Sequence, residues 1–172
     1  MKRLVALLAF AFFAGAAFAA VPARYAPTVI QPAGTPQRYE YDLTAALERA
    51  AREKKKLYVY LGATDCPFCR RYEAFLDRSA DELVPHFAKE WIVIELRSSL
   101  SVHADRLYFR IGTKSLPYTE FMRSLGDERE RQLVYPSVWL FDAQAKPLMQ
   151  MPAGTGTFET VPEQLEILRL EQ

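Results

Sequence analysis

Cys66 and Cys69 are the only cysteines of this 172-residue chain, and Pro67 and Phe68 separate them. A C-x-x-C pair does one of two kinds of chemistry, because the thiolate both attacks disulfides and binds soft metals. A metal needs further ligands, and His86 and His103 are the only histidines; zinc, or copper held by the two sulfurs and one histidine, is therefore the weaker reading. Haem attachment needs His directly after the second cysteine, where Arg70 stands. A purely structural bridge would close too small a loop to constrain the unfolded chain much. A redox dithiol remains, with no metal and no cofactor expected.

The flanking residues place the pair on a strand-to-helix junction. Residues 57–63 form a nearly continuous apolar run, as in a central strand covered on both faces. Pro67 fits the first helical position, where its missing N–H costs nothing, and Cys66 then becomes the N-cap, accepting from the N–H of Phe68 or Cys69. The free N–H groups and positive dipole end of the helix stabilise a thiolate there. Cys69, Tyr72 and Leu76 share one stripe flanked by Phe68 and Phe75, so the second sulfur is expected deeper than an exposed first one. Cys66 is then the attacker and Cys69 the resolver. Arg70 and Arg71 favour a thiolate at Cys66, whereas Asp65 opposes it.

Other elements follow from periodicity. Asp42 is expected to cap a helix over 42–54, with Leu43, Ala46, Leu47, Ala50 and Ala51 on its buried face. A further helix fits 79–89, a second inner strand 91–96, a helix about 118–125, a hairpin 137–141 with 147–151, and a closing helix 162–170. This alternation predicts an α/β fold with a central sheet flanked by helices. Prolines 22, 27, 32 and 36 mark 21–37 as an extended arm outside the core. The charged run 127–131 reads as a solvated face. Tyr58, Tyr60, Tyr108, Phe109 and Tyr118 read as core or half-buried aromatics, with Tyr108 and Phe109 also candidates for a substrate groove.

At the amino end Lys2 and Arg3 precede an apolar run over 4–16 and the small-x-small triplet Ala17-Phe18-Ala19. The pattern is that of a secretory signal cleaved after Ala19, since the run is short of the roughly 20 apolar residues of a spanning helix. An exported, periplasmic protein is expected, with about 150 residues left for one domain. Formal net charge is +1 with both signs interspersed, which argues against a nucleic-acid groove or a polybasic membrane surface.

The strand, the stretch Asp65-Cys66-Pro67-Phe68-Cys69-Arg70-Arg71, and Tyr135-Pro136-Ser137 opening a hairpin about 65 residues later resemble the thioredoxin family over 39–172. The resemblance implies a thioredoxin-like fold with a central mixed sheet and a domain organisation of signal 1–19, arm 20–38 and domain 39–172. It further implies that Pro136 is cis and lies beside the dithiol, and that Tyr135 presents its backbone to an incoming chain as an edge strand. Catalysis falls to Cys66 and Cys69, substrate binding to Tyr135 and Pro136, and support to Pro67, Phe68, Asp65 and Arg70. Where many family members bury a carboxylate six residues before the first cysteine, this chain has Tyr60. A phenol with pKa near 10 is a poor base, so the Cys69 proton must go to water or to another carboxylate, Asp65 or Glu73. The Pro-Phe pair resembles periplasmic members, and 98–135 is longer than the usual connection, which suits a partner site. A thiol–disulfide oxidoreductase acting as a monomer is expected, in the reductase direction, with a protein disulfide as substrate and a membrane electron donor. The open alternatives are a thiol oxidant and a non-catalytic binding or redox-sensing module.

Overall fold

The computed structural model describes residues 20–34, 36–126, 132–152 and 159–169. The signal-peptide segment 1–19 and the charged run 127–131 lie outside them.

The apolar run expected at 57–63 is β3, Lys56–Ala63, buried along nearly its whole length. It is sandwiched between β4 (Trp91–Ser98), parallel to it, and β7 (Ser137–Phe141), antiparallel. The five-stranded sheet has the order β1-β4-β3-β7-β8, with β1 at Thr28–Ile30 and β8 at Pro147–Pro152. Alternation sends successive β3 side chains to opposite faces. Tyr58 and Tyr60 face α2 (Pro67–Arg78), α3 (Ala80–Glu90) and α5 (Val161–Leu168). Leu57, Val59 and Leu61 face α1 (Thr44–Glu53) and α4 (Tyr118–Ser124). The helices expected around 79–89, 118–125 and 162–170 and the hairpin are present within a residue or two. The fold is a central mixed sheet flanked by helices.

Three features depart from the sequence reading. First, the Pro-rich arm is docked rather than free: Val21 and Tyr25 reach the core while its other described residues stay exposed or half-buried, and β1 pairs in parallel with β4 at the sheet edge. The prolines leave room for only a 3-10 turn, Ala23–Tyr25, and a short edge strand, because an edge strand leaves half its N–H groups unpaired. The Tyr25 hydroxyl donates to the Leu76 carbonyl at 2.7 Å, one of the last four of α2, which have no partner within the helix.

Second, Asp42 ends a strand rather than occupying the helix cap. It closes β2 (Tyr39–Asp42), and its Oδ1 accepts from the Thr44 N–H at 2.9 Å just before α1 begins. Third, β2 pairs with β5 (Leu107–Ile111), which pairs with β6 (Lys114–Pro117), in a separate three-stranded sheet. The turn between β5 and β6 is Gly112-Thr113, with Gly112 at φ +59°, a conformation glycine adopts without penalty. Phe109 of β5 stacks on Phe121 at 4.1 Å between centroids, and both meet Trp139 edge-on. That aromatic cluster fastens the small sheet to the face of the large one. Phe109 is therefore core, and Tyr108 is half-buried under the Arg38 guanidinium, 3.8 Å from its ring centroid.

Candidate active site

Cys66 and Cys69 are joined by a disulfide, with Cα atoms 5.2 Å apart, at the junction of β3 and α2. Pro67 opens the helix, and Cys66 is its N-cap: extended backbone, and a sulfur that accepts the Cys69 N–H at 3.1 Å. The Ala63 N–H points at the Cys69 sulfur from 3.5 Å. Sulfur thus takes the place an oxygen fills at most caps, which sets both sulfurs against N–H groups at the positive end of the helix dipole.

The peptide bond between Tyr135 and Pro136 is cis, and the Tyr135 carbonyl oxygen lies 3.5 Å from the Cys66 sulfur. Tyr135 is fixed by its own hydroxyl, which donates to the Val102 carbonyl at 3.1 Å and accepts from Ser98 Oγ at 3.0 Å. Burial pushes that phenol up to about 12. The expectation of an exposed first sulfur fails: Cys66 is 1 % exposed and Cys69 fully buried. Tyr135, folded over the pair in one small cluster with Ala63, is the cover.

The supporting residues part company. Phe68 is 51 % exposed, because the helix turns it away from the stripe formed by Cys69, Tyr72, Phe75 and Leu76. With Leu100, Val102, His103, Val134 and Tyr135 it lines a groove of about 590 Å³ beside the disulfide, built largely from the long 98–135 connection. Asp65 accepts the Leu100 N–H at 2.8 Å; it braces that connection. Arg70 is exposed, and its charge acts on Glu73.

Glu73, one helical turn after Cys69, is buried at 5 % exposure and accepts the Tyr60 hydroxyl at 2.7 Å. Burial pushes its carboxyl up to about 7, an effect reinforced by Glu95 and opposed by the Tyr60 hydroxyl, the backbone N–H of Ala20 and Arg70. Tyr60 is itself driven well above 10 by burial and by Glu73, so it acts as a donor to the carboxyl and never as a base. Gly62 makes room: a Cβ there would lie 2.6 Å from the Tyr60 ring. Glu95 sits opposite Tyr60 on the neighbouring strand. One of its oxygens accepts from Arg97 at 2.8 Å, and the other has no hydrogen-bond partner among the described residues. The sequence reading named Glu73 but missed Glu95; the signal was an acid inside an inner strand, where a charge is costly unless paired.

Among the described residues no three His, Cys, Asp or Glu side chains gather as a metal site, and no helix is long and apolar enough to cross a membrane.

No protein-family model matches the chain, and no curated protein matches it. Solved structures do. A disulphide isomerase from Xylella fastidiosa Temecula1 is 20% identical, with a TM-score of 0.42 over 62% of this chain and 67% of that one. The exposed lipoprotein thioredoxin Etrx1 of Streptococcus pneumoniae TIGR4 is 17% identical, with a TM-score of 0.43 over 72% and 88%. A thioredoxin-fold protein from Helicobacter pylori is 13% identical, with a TM-score of 0.41 over 91% of each chain. The fold assignment comes from the strand order and not from these scores. With two parallel and two antiparallel strand pairings, a disulfide capping the first helix after the central strand, and a cis proline opposite it, the chain has the thioredoxin-like fold.

Proposed function

We propose that this protein is an exported thiol–disulfide oxidoreductase working from the Cys66–Cys69 pair, and that it runs as a reductase of protein disulfides fed by a membrane electron donor. The observation that carries the reading is the disulfide at a helix N-terminus under the backbone of Tyr135, next to a groove lined by Phe68 and the 98–135 connection.

In the reduced form the Cys66 thiolate, stabilised by the Cys69 N–H and the helix dipole, attacks one sulfur of a substrate disulfide. A Cys66–substrate disulfide forms and the other substrate sulfur leaves as thiolate. The Cys69 thiol gives its proton to Glu73 through water, and its thiolate attacks the Cys66 sulfur. The second substrate sulfur leaves, two electrons have passed to the substrate, and the Cys66–Cys69 disulfide is restored. Glu73 suits the proton step because a base works best with a pKa near the working pH. The Tyr135 backbone would pair with the substrate chain as an added strand. The direction rests on the connection between β4 and β7: a dedicated oxidant usually carries an inserted helical domain, and among the described residues this connection holds β5, β6 and the short α4. The protein would act as a monomer.

The test is to trap and then to measure. Cys69→Ser should accumulate covalent mixed disulfides with substrate proteins, released by dithiothreitol, while Cys66→Ser should lose turnover; residual turnover in Cys66→Ser equal to wild type sinks the assignment. Equilibration in glutathione buffers, with free thiols counted by alkylation, gives the direction: about −250 mV or lower for a reductase, near −120 mV for an oxidant.

A further inference from the structure

The side chain of Tyr135 spans the end of the central strand. Tyr135 stands just before Ser137, which pairs with Leu61 on one side of β3, while Ser98 pairs with Ala63 on the other side. The phenol therefore crosses β3 near Ala63 to reach β4, where it accepts from Ser98 Oγ at 3.0 Å, and donates beyond it to the Val102 carbonyl at 3.1 Å. Cys66 sits beside this crossing: its N–H donates to the Ala63 carbonyl at 3.1 Å, and its sulfur lies 3.5 Å from the Tyr135 carbonyl oxygen. Exchange depends on access to the attacked sulfur, yet Cys66 is 1 % exposed. Tyr135 also borders the groove beside the disulfide. Among the described residues the exposed large apolar side chains are Val29, Phe68, Leu100 and Val134, and all but Val29 line that groove. Apolar surface gathered in one exposed place marks a binding surface, and this one is continuous with the residue that covers the sulfur.

We propose that Tyr135 is a latched cover that decides which reductant recharges the protein: closed, it shields Cys66 from small thiols, and a polypeptide dithiol with apolar side chains ahead of its attacking cysteine opens it by seating them in the groove. The inference rests on the oxidoreductase reading above and names the chemistry of its electron donor. The donor's thiolate attacks the Cys66 sulfur, the Cys66–Cys69 bond breaks, and Cys69 leaves as a thiolate that takes a proton from Glu73 through water. The donor's second thiol gives its proton to solvent, its thiolate attacks the donor sulfur of the mixed disulfide, and Cys66 leaves as thiolate. The donor ends as a disulfide and two electrons have passed to the pair. A cover that must open first slows attack by the fraction of open molecules. Neither hydrogen bond of the phenol involves sulfur, so the latch holds disulfide and dithiol alike and acts on rate rather than on equilibrium.

The oxidised protein is reduced by two peptides sharing the core Cys-Gly-Gly-Cys, one preceded by Gly-Gly and the other by Leu-Phe, and free thiols are counted by acid quenching, alkylation and mass spectrometry. On wild type the Leu-Phe peptide should be faster by about tenfold or more, the effect of two neutral hydrogen bonds on the open fraction. Tyr135→Phe, which keeps the ring and loses both bonds, should accelerate the Gly-Gly peptide by about tenfold and leave the equilibrium constant of the exchange within about twofold. Equal rates of the two peptides on wild type, no acceleration in Tyr135→Phe, or an acceleration matched by a shift of the equilibrium constant each overturns the cover and leaves the oxidoreductase reading standing. Wild-type turnover in Cys66→Ser overturns that reading and the cover with it. Should Tyr135→Phe fail to fold, Ser98→Ala, which removes the donor to the phenol, carries the same test with an acceleration of about threefold.

Discussion

In the proposed mechanism Glu73 takes the proton of the resolving thiol. Its carboxyl titrates near 7 because burial outweighs the hydrogen bond from Tyr60, whereas in the unfolded chain it titrates near 4.3. The folded form therefore holds a proton that the unfolded form has lost between those values. Stability from this group is complete below about pH 4 and falls as pH rises through 7, by on the order of 3 kcal/mol. Glu73→Gln should flatten that slope, read by urea unfolding at pH 4.5 and 7.5, and should also remove a step near neutrality from the pH profile of turnover. Gly62 bears on the same hydrogen bond. Gly62→Ala drives a methyl into the Tyr60 ring and should displace the phenol from Glu73 at a cost of about 1–3 kcal/mol, visible as a lower urea midpoint. Cys66, Cys69, Pro67 and the cap geometry were legible in the sequence because they are local: four residues and a helix start determine them. The burial of Cys66 was not, since its cover comes from Tyr135, far along the chain.

At the scale of elements, the small sheet is held by one acid. Glu40 on β2 accepts from Ser115 on β6, from Arg38 at 2.7 Å and from Arg110 on β5. The Ser115 hydroxyl first, then these guanidinium groups, hold its carboxyl down to about 2. A lowered value means that the stabilisation is full above the ordinary carboxylate range and is lost as pH falls from about 4.5 toward 2. Glu40→Gln should remove that acid sensitivity and cost about 1–2 kcal/mol at pH 7, with faster amide exchange in β2, β5 and β6 than in the large sheet. These strands escaped the sequence reading for physical reasons. Tyr39–Asp42 and Lys114–Pro117 have four residues each, too few for period-2 alternation to stand out. The central strands and helices were legible because their apolar runs are long, and the Gly112-Thr113 turn with Leu107 and Phe109 before it was the available hint of a hairpin.

For the whole molecule, the arm decides where the fold begins. The α/β plan follows from the strand, helix, strand order, but the docking of Val21, Tyr25 and β1 depends on surfaces assembled from residues up to Leu96, which no window along the chain contains. Tyr25→Phe removes the donor to Leu76 and should cost about 1–2 kcal/mol, a lowering of Tm by several degrees for a domain of this size, with increased protease cleavage in 20–30 as the companion readout. The pairing of Thr28 with Ile94 has a consequence for manufacture. A polypeptide threaded through a membrane amino end first delivers its edge strand before the strand it needs. If the chain is exported as proposed, Thr28–Ile30 would wait unpaired while the helix bearing the dithiol and all of β4 follow, and throughout that wait both thiols would stand open to whatever oxidant the far compartment holds.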